Sequence, residues 1–275
     1  MVIGIIGLGL IGGSMGLALQ NTKLISKIVG YDNNISHCEE ALKLKIVNEI
    51  VNFEDIKKCD VIFLATPVEA IIAIMKKLTD IPKTTTIIDL GSTKEKIVQE
   101  TPKELKSNFV PAHPMTGTEK FGPSAAFSTL FNGGVVVICK TKEIDDVHLT
   151  RSIQIFSHIG MKIVFMNPKD HDAHASYISH MPHALSYALA NSVMKQQDPK
   201  SILLLAGGGF RDMSRVAKSS PIMWANIFKQ NRENFIESVK NFEIELAKCR
   251  ELVENEEWDK LEKWMKNATT LHNIL

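Results

Sequence analysis

The stretch Val2-Ile3-Gly4-Ile5-Ile6-Gly7-Leu8-Gly9-Leu10-Ile11-Gly12 leaves this chain few ways to fold. An apolar run is followed at once by glycines in G-x-G-x-x-G spacing. Six glycines fall before Leu19, and each costs a helix interior about 1 kcal/mol relative to Ala. One long membrane helix is therefore a poor reading. A secretory leader is poorer still, because no basic residue precedes the apolar run. The segment reads as a buried strand, a glycine turn and a helix over 13–21. Short glycine patterns arise by chance, but this one sits between a strand and a helix, where its mechanism needs it. Gly7 permits the tight turn, Gly9 lets backbone approach a pyrophosphate, and Gly12 lets helix and strand pack closely. Leu10 and Ile11 then carry the free N–H groups of the helix N-terminus toward the phosphates.

An acidic residue is expected at the end of the next strand, where it accepts the ribose hydroxyls. Asp32 stands there, 25 residues after Gly7. It would repel a 2′-phosphate, and no arginine follows it, so NAD is expected rather than NADP. Further apolar runs lie at 61–65, 85–90, 109–110, 135–139 and 162–165, with amphipathic helices expected at 36–44, 68–78 and 94–99. Strands apolar throughout, alternating with helices, imply a parallel sheet covered on both faces. Beyond Asn167-Pro168 no strand is expected. The fold class is α/β: a Rossmann-type doubly wound sheet over 1–167, then an all-helical substrate and dimerisation domain over 168–275.

Ligands of such sheets bind beyond the carboxyl ends of the strands. That rule brings Thr66-Pro67, Gly91-Ser92-Thr93-Lys94 and His113 to one rim with the glycine loop. His113 is expected in a loop bounded by Pro111 and Pro114, and imidazole is the side chain best suited to move a proton near neutral pH. Ser92 is placed either to fix its tautomer or to cap the following helix. A helix over 171–195 carries His171, His174, His180 and His183, with Pro182 as a kink. His171 and His174 read as a polar face, and His180 or His183 as a site residue. No metal site is expected. Arginine is scarce, five against 27 lysines. Arg215, one turn from Arg211, suits a carboxylate, and Trp224 either walls a ring-shaped substrate or fills the core.

The net charge of +1 gives no electrostatic case for nucleic acid or an anionic membrane. Four cysteines without a C-x-x-C pair fit a reducing cytoplasm.

Several blocks now stand in order. They are Gly-Leu-Gly-Leu-Ile-Gly-Gly-Ser, Asp-Leu-Gly-Ser-Thr-Lys, Ala-His-Pro-Met-Thr-Gly-Thr-Glu-Lys, Ser-His-Met-Pro-His-Ala and Gly-Gly-Gly-Phe-Arg-Asp-Met-Ser-Arg-Val-Ala. With them the chain resembles the prephenate/arogenate (cyclohexadienyl) dehydrogenase family over nearly its whole length. The resemblance implies NAD-dependent oxidative decarboxylation of prephenate to 4-hydroxyphenylpyruvate, in tyrosine biosynthesis. It makes His113 the group that deprotonates the 4-hydroxyl, with Ser92 orienting it and Arg215 gripping a substrate carboxylate. His180, His183 and Trp224 would line the pocket, Thr118 and Glu119 its rim. The helical domain would build a homodimer, with neither a fused chorismate mutase nor a regulatory domain expected. Arogenate, or both substrates, remain open, and a β-hydroxyacid-type dehydrogenase with Lys169 or Lys218 as base, or a non-catalytic dinucleotide-binding module, are more remote.

Overall fold

The computed structural model describes residues 1–20, 22 and 24–274. Val2–Ile6 (β1) passes through the glycine turn into Leu10–Leu19 (α1). The chain continues as Lys27–Tyr31 (β2), Ile35–Lys43 (α2), Glu49–Ile50 (β3) and Phe53–Ile56 (α3). Val61–Leu64 (β4), Val68–Met75 (α4), Thr86–Asp89 (β5) and Glu95–Gln99 (α5) follow. Phe109–Pro114 (β6), Val135–Cys139 (β7), Asp146–His158 (α6) and Lys162–Met166 (β8) complete an eight-stranded sheet. Its order is β3-β2-β1-β4-β5-β6-β7-β8.

Side chains alternate across the sheet, and both faces are buried except at the edge strands β3 and β8, where Val164 and Phe165 are exposed. Ile3, Ile5, Phe63 and Ile88 pack with Met15 of α1 and Phe156 of α6. Ile6, Ile62, Leu64 and Ile87 pack with Ile71 and Met75 of α4 and Ile97 of α5. The order reverses between β1 and β4, where a doubly wound sheet opens its ligand crevice.

Three expectations are corrected. The first helix starts at Leu10, not at 13, because Gly9 already ends the turn; its expected last residue, Asn21, lies outside the described residues. The sheet is not wholly parallel, since β6 and β7 pair antiparallel. A parallel return needs a helical crossover, and the chain between them holds only a short turn at Pro123–Ala125. The unexpected α6 supplies that crossover one step later, and β7 pairs β8 in parallel. Finally, His113 is not in a loop. β6 runs on to Pro114 because Ala112, His113 and Pro114 find partners in Ile138, Val137 and Val136.

Beyond Met166 the described residues form helices and turns without a strand. Pro168–Ala175 (α7) runs through one π-helical turn, Ser176–His180, into Met181–Met194 (α8). Pro182 thus lies in the first turn of α8. A proline ring crowds the carbonyl four residues back, and the widened turn before it relieves that clash. Pro199–Leu204 (α9), Gly208–Ser214 (α10), Pro221–Gln230 (α11), Arg232–Glu254 (α12) and Trp258–Thr269 (α13) follow. Ser220 caps α11, accepting from the Met223 N–H at 3.4 Å. No helix among the described residues is long and apolar enough to cross a membrane.

Candidate active site

A cleft of about 710 Å³ opens at the switch point, lined by Gly7, Gly9, Asp32, His37, Thr66 and Pro67, with Phe53 and Ile74 as apolar walls. The three glycines of the turn have different reasons to be glycine. Gly7 has φ +95°, and a Cβ there would stand 2.6 Å from the Ala65 carbonyl oxygen. A Cβ on Gly12 would stand 1.9 Å from the Gly7 oxygen. Both are demanded by the protein's own packing. A Cβ on Gly9 meets nothing within 4 Å, so the space beside it is kept for something else. Asp32 accepts from the Leu8 N–H at 2.8 Å and the Asn34 N–H at 2.8 Å, with His37 Nδ1 at 3.4 Å. Thr66 Oγ1 is buried with no partner. An open glycine face at a helix N-terminus, a carboxylate at the end of β2 and an orphaned hydroxyl fit a dinucleotide.

Gly9→Ala is therefore expected to fold with wild-type thermal stability yet bind NAD at least about tenfold more weakly, as calorimetry would show. Gly12→Ala is expected to fail to fold, because no staggered adjustment clears a backbone oxygen at that distance.

Strands in a sheet lie about 4.8 Å apart, so the end of β6 stands roughly 14 Å along the rim from the glycine turn. There His113 is partly buried, and its Nδ1 lies 2.9 Å from His171 Nε2. His171 Nδ1 lies 2.7 Å from Asp172 Oδ1. Asp172 also accepts the Lys94 N–H at 2.7 Å and the Glu95 N–H at 2.9 Å. A carboxylate from the second domain thus caps α5 of the first. This corrects two expectations. His171 is buried rather than part of a polar face; His174 is exposed, as expected. Ser92 neither caps α5 nor hydrogen-bonds the His113 ring among the described residues, and His171 occupies the position expected of it.

Asn231 Nδ2 donates to the Asp172 carbonyl at 2.7 Å and lies 3.1 Å from His180 Nδ1. That nitrogen must accept, so the His180 proton sits on Nε2, which is buried and unpartnered. Burial lowers the His180 pKa to about 4. His183 donates from Nδ1 to the Ser179 carbonyl at 2.9 Å and stacks on Trp224 at 3.6 Å between ring centroids. Trp224 is buried, with its Nε1 unpartnered. Burial above all holds His113 well below its ordinary pKa. It is a free base at neutral pH.

Arg215 Nη1 reaches Glu119 Oε2 at 3.2 Å, joining the second domain to the loop after β6. Both are partly solvent-exposed, as is Thr118 beside them. Arg211 donates instead to the Ala206 carbonyl at 3.1 Å. Behind the rim, Lys94 and Asp89 form a fully buried ion pair. Asp89 also accepts from the Ala112 N–H at 3.0 Å and the Gly91 N–H at 3.1 Å.

Asp172 and Asn231, and the part His171 plays, escape sequence reasoning. Apart from the adjacent His171–Asp172 pair, they stand 51 or more residues from their partners, and nothing local marks them. Among the described residues, no group of three His, Cys, Asp or Glu side chains could hold a metal ion.

A family model described as prephenate dehydrogenase, nucleotide-binding domain, matches residues 15–165. One described as prephenate dehydrogenase, dimerization domain, matches residues 167–267. The chain is 31% identical to the prephenate dehydrogenase of Bacillus subtilis strain 168 over 269 residues, which is 95% of this chain and 72% of that protein. It is 28% identical to the cyclohexadienyl dehydrogenase of Zymomonas mobilis, covering 97% of this chain and 93% of that one. The crystal structure of Aquifex aeolicus prephenate dehydrogenase, in complex with hydroxyphenyl propionate and NAD+, superposes with a TM-score of 0.92. It is 32% identical and covers 99% of this chain and 97% of that one.

Proposed function

Because the chain belongs to the prephenate dehydrogenase family, we propose that it converts prephenate to 4-hydroxyphenylpyruvate and carbon dioxide with His113 as the base. It is an NAD-dependent oxidoreductase. The observation that carries the reading is an imidazole held as a free base on the rim that also bears the dinucleotide cleft. Gly7, Gly9, Leu10, Ile11, Gly12, Asp32, Thr66, Pro67 and Ser92 would hold NAD, which would supply the acceptor for the hydride that leaves C4 of the substrate ring. His113 Nε2 takes the 4-hydroxyl proton as C4 becomes a carbonyl carbon. Loss of the ring carboxylate as carbon dioxide then makes the ring aromatic, and His113 returns the proton to the phenolate oxygen. General-base help of this kind is typically worth roughly 10²–10⁴-fold.

The other residues bind and orient. The unpartnered His180 Nε2–H is a donor for a substrate oxygen, and the stacked His183 and Trp224 offer a flat wall to the ring. Ser92, with no hydrogen bond to the imidazole, would orient the reacting hydroxyl. Arg215 takes a carboxylate, exchanging its partner Glu119 for the substrate, with Thr118 at the mouth. Arg215→Ala is expected to raise KM for prephenate roughly 10- to 100-fold with kcat changed far less, since a charged hydrogen bond contributes roughly 1.5–3 kcal/mol. Steady-state kinetics at saturating NAD check this.

Arogenate differs from prephenate in carrying an amine where prephenate has a keto group, and it is the second reading. A hydroxyacid substrate is disfavoured, because Lys169 and Lys218 are both exposed. NADH formation with prephenate, arogenate and simple hydroxyacids side by side is the test. Turnover of the hydroxyacids alone would defeat the proposal.

We place residues 168–275 at a homodimer interface and the enzyme in the cytoplasm. Leu204, Leu205 and Ile222 are 85%, 88% and 78% exposed, which supports a covering partner. The four cysteines are free thiols, which supports a reducing compartment.

A further inference from the structure

Neutral imidazole has one N–H, and only the nitrogen without it can act as a base. In solution the two tautomers exchange, so a catalytic histidine needs something to choose between them. With His171 neutral as well, the hydrogen bonds behind His113 leave one choice. Both Asp172 oxygens already accept backbone N–H groups, those of Lys94 and Glu95. Toward His171 Nδ1, 2.7 Å away, Asp172 therefore acts as an acceptor. A neutral His171 then carries its proton on Nδ1, which leaves its Nε2 an acceptor. Across 2.9 Å from that Nε2 stands His113 Nδ1, which must then donate.

We propose that Asp172 and His171 are positioning residues that hold His113 with its proton on Nδ1, so that Nε2 faces the substrate as a bare acceptor. The inference rests on the reading of His113 as the base. It assigns a catalytic consequence to a contact between the two domains. His113 is on β6 of the sheet and His171-Asp172 are on α7, so the base is armed only when the helical domain is docked. Asn231 fixes Asp172 from the far side through its main-chain carbonyl, which ties α12 to the same chain of contacts. As Nε2 takes the hydroxyl proton, the positive charge forming on the His113 ring is drawn toward His171 and the Asp172 carboxylate.

The test is ¹⁵N NMR of the full-length protein labelled at histidine, with the His113 signals identified by their loss in His113→Asn. The expected result is a protonated Nδ1 and an unprotonated Nε2 on His113 in the wild type. In His171→Leu the preference is expected to disappear, and kcat to fall roughly 10- to 100-fold, with KM and NAD affinity close to wild type. His171→Gln, whose carbonyl oxygen can accept from Nδ1–H, is expected to restore most of kcat. A merely structural contact would show none of this selectivity between Leu and Gln. A wild-type proton on Nε2, or unchanged kcat in His171→Leu, would overturn the proposal. Full turnover in His113→Asn is a separate outcome, which defeats the base assignment and leaves the wild-type tautomer measurement standing.

Discussion

His113→Asn is expected to lower kcat by about 10²–10⁴-fold while KM for substrate stays within about threefold. Asparagine keeps a polar group of similar reach, so ground-state binding survives, but it cannot take a proton. The loss should appear equally in kcat and kcat/KM. Stopped assays with prephenate, with folding checked by circular dichroism, decide it; near-normal turnover in a folded variant removes His113 from the chemistry. The wild type carries a matching pH signature. Activity needs the unprotonated ring, and burial above all lowers its pKa. The acid limb of kcat/KM should therefore fall below the pH at which an ordinary histidine titrates, and activity should be level through neutrality.

The second large effect is on stability. Lys94→Met is expected to cost about 3–5 kcal/mol, because it leaves the Asp89 carboxylate buried without its cation. Lys94 and Asp89 are both 0% exposed. Burial pushes the Asp89 carboxyl up, against the pull of Lys94 and of the Ala112 and Gly91 N–H donors. The Lys94→Met/Asp89→Asn double variant should be more stable than Lys94→Met alone, since the orphaned charge is gone. Urea melts of the three proteins measure this directly. Wild-type stability in Lys94→Met would show that the pair contributes only as a surface pair does. The location matters for function too. Asp89 accepts from the backbone next to His113, and Lys94 begins the turn that Asp172 caps, so the pair fixes the rim on which the base is mounted.

The family blocks around Gly7, Ser92, His113, His180 and Arg215 were legible because each is short and local in sequence. Placing the first three on one rim followed from a general rule about parallel sheets. The legible part also included the apolar strands, since strands buried on both faces read as short apolar runs bounded by turn residues. What failed was local in another way. The span from 111 to 114 reads as a proline-bound loop, yet β7 pairs with it and makes it strand. Strand pairing is a contact between distant segments, and no property of residues 109–114 announces the antiparallel partner at 136–138.

The chain's own order of residues settled the nucleotide-binding turn, because Gly7 needs a positive φ in its own backbone and Gly12 answers to the oxygen of Gly7. It also named an imidazole and a guanidinium as site residues, from short blocks of sequence. Only the tertiary structure decided which nitrogen of that imidazole is free. His171, Asp172 and Asn231 reach it from a second domain, and hydrogen-bond polarity passes along contacts in space. A histidine's environment is made by whatever packs against it, and for His113 that lies 58 residues away in the chain.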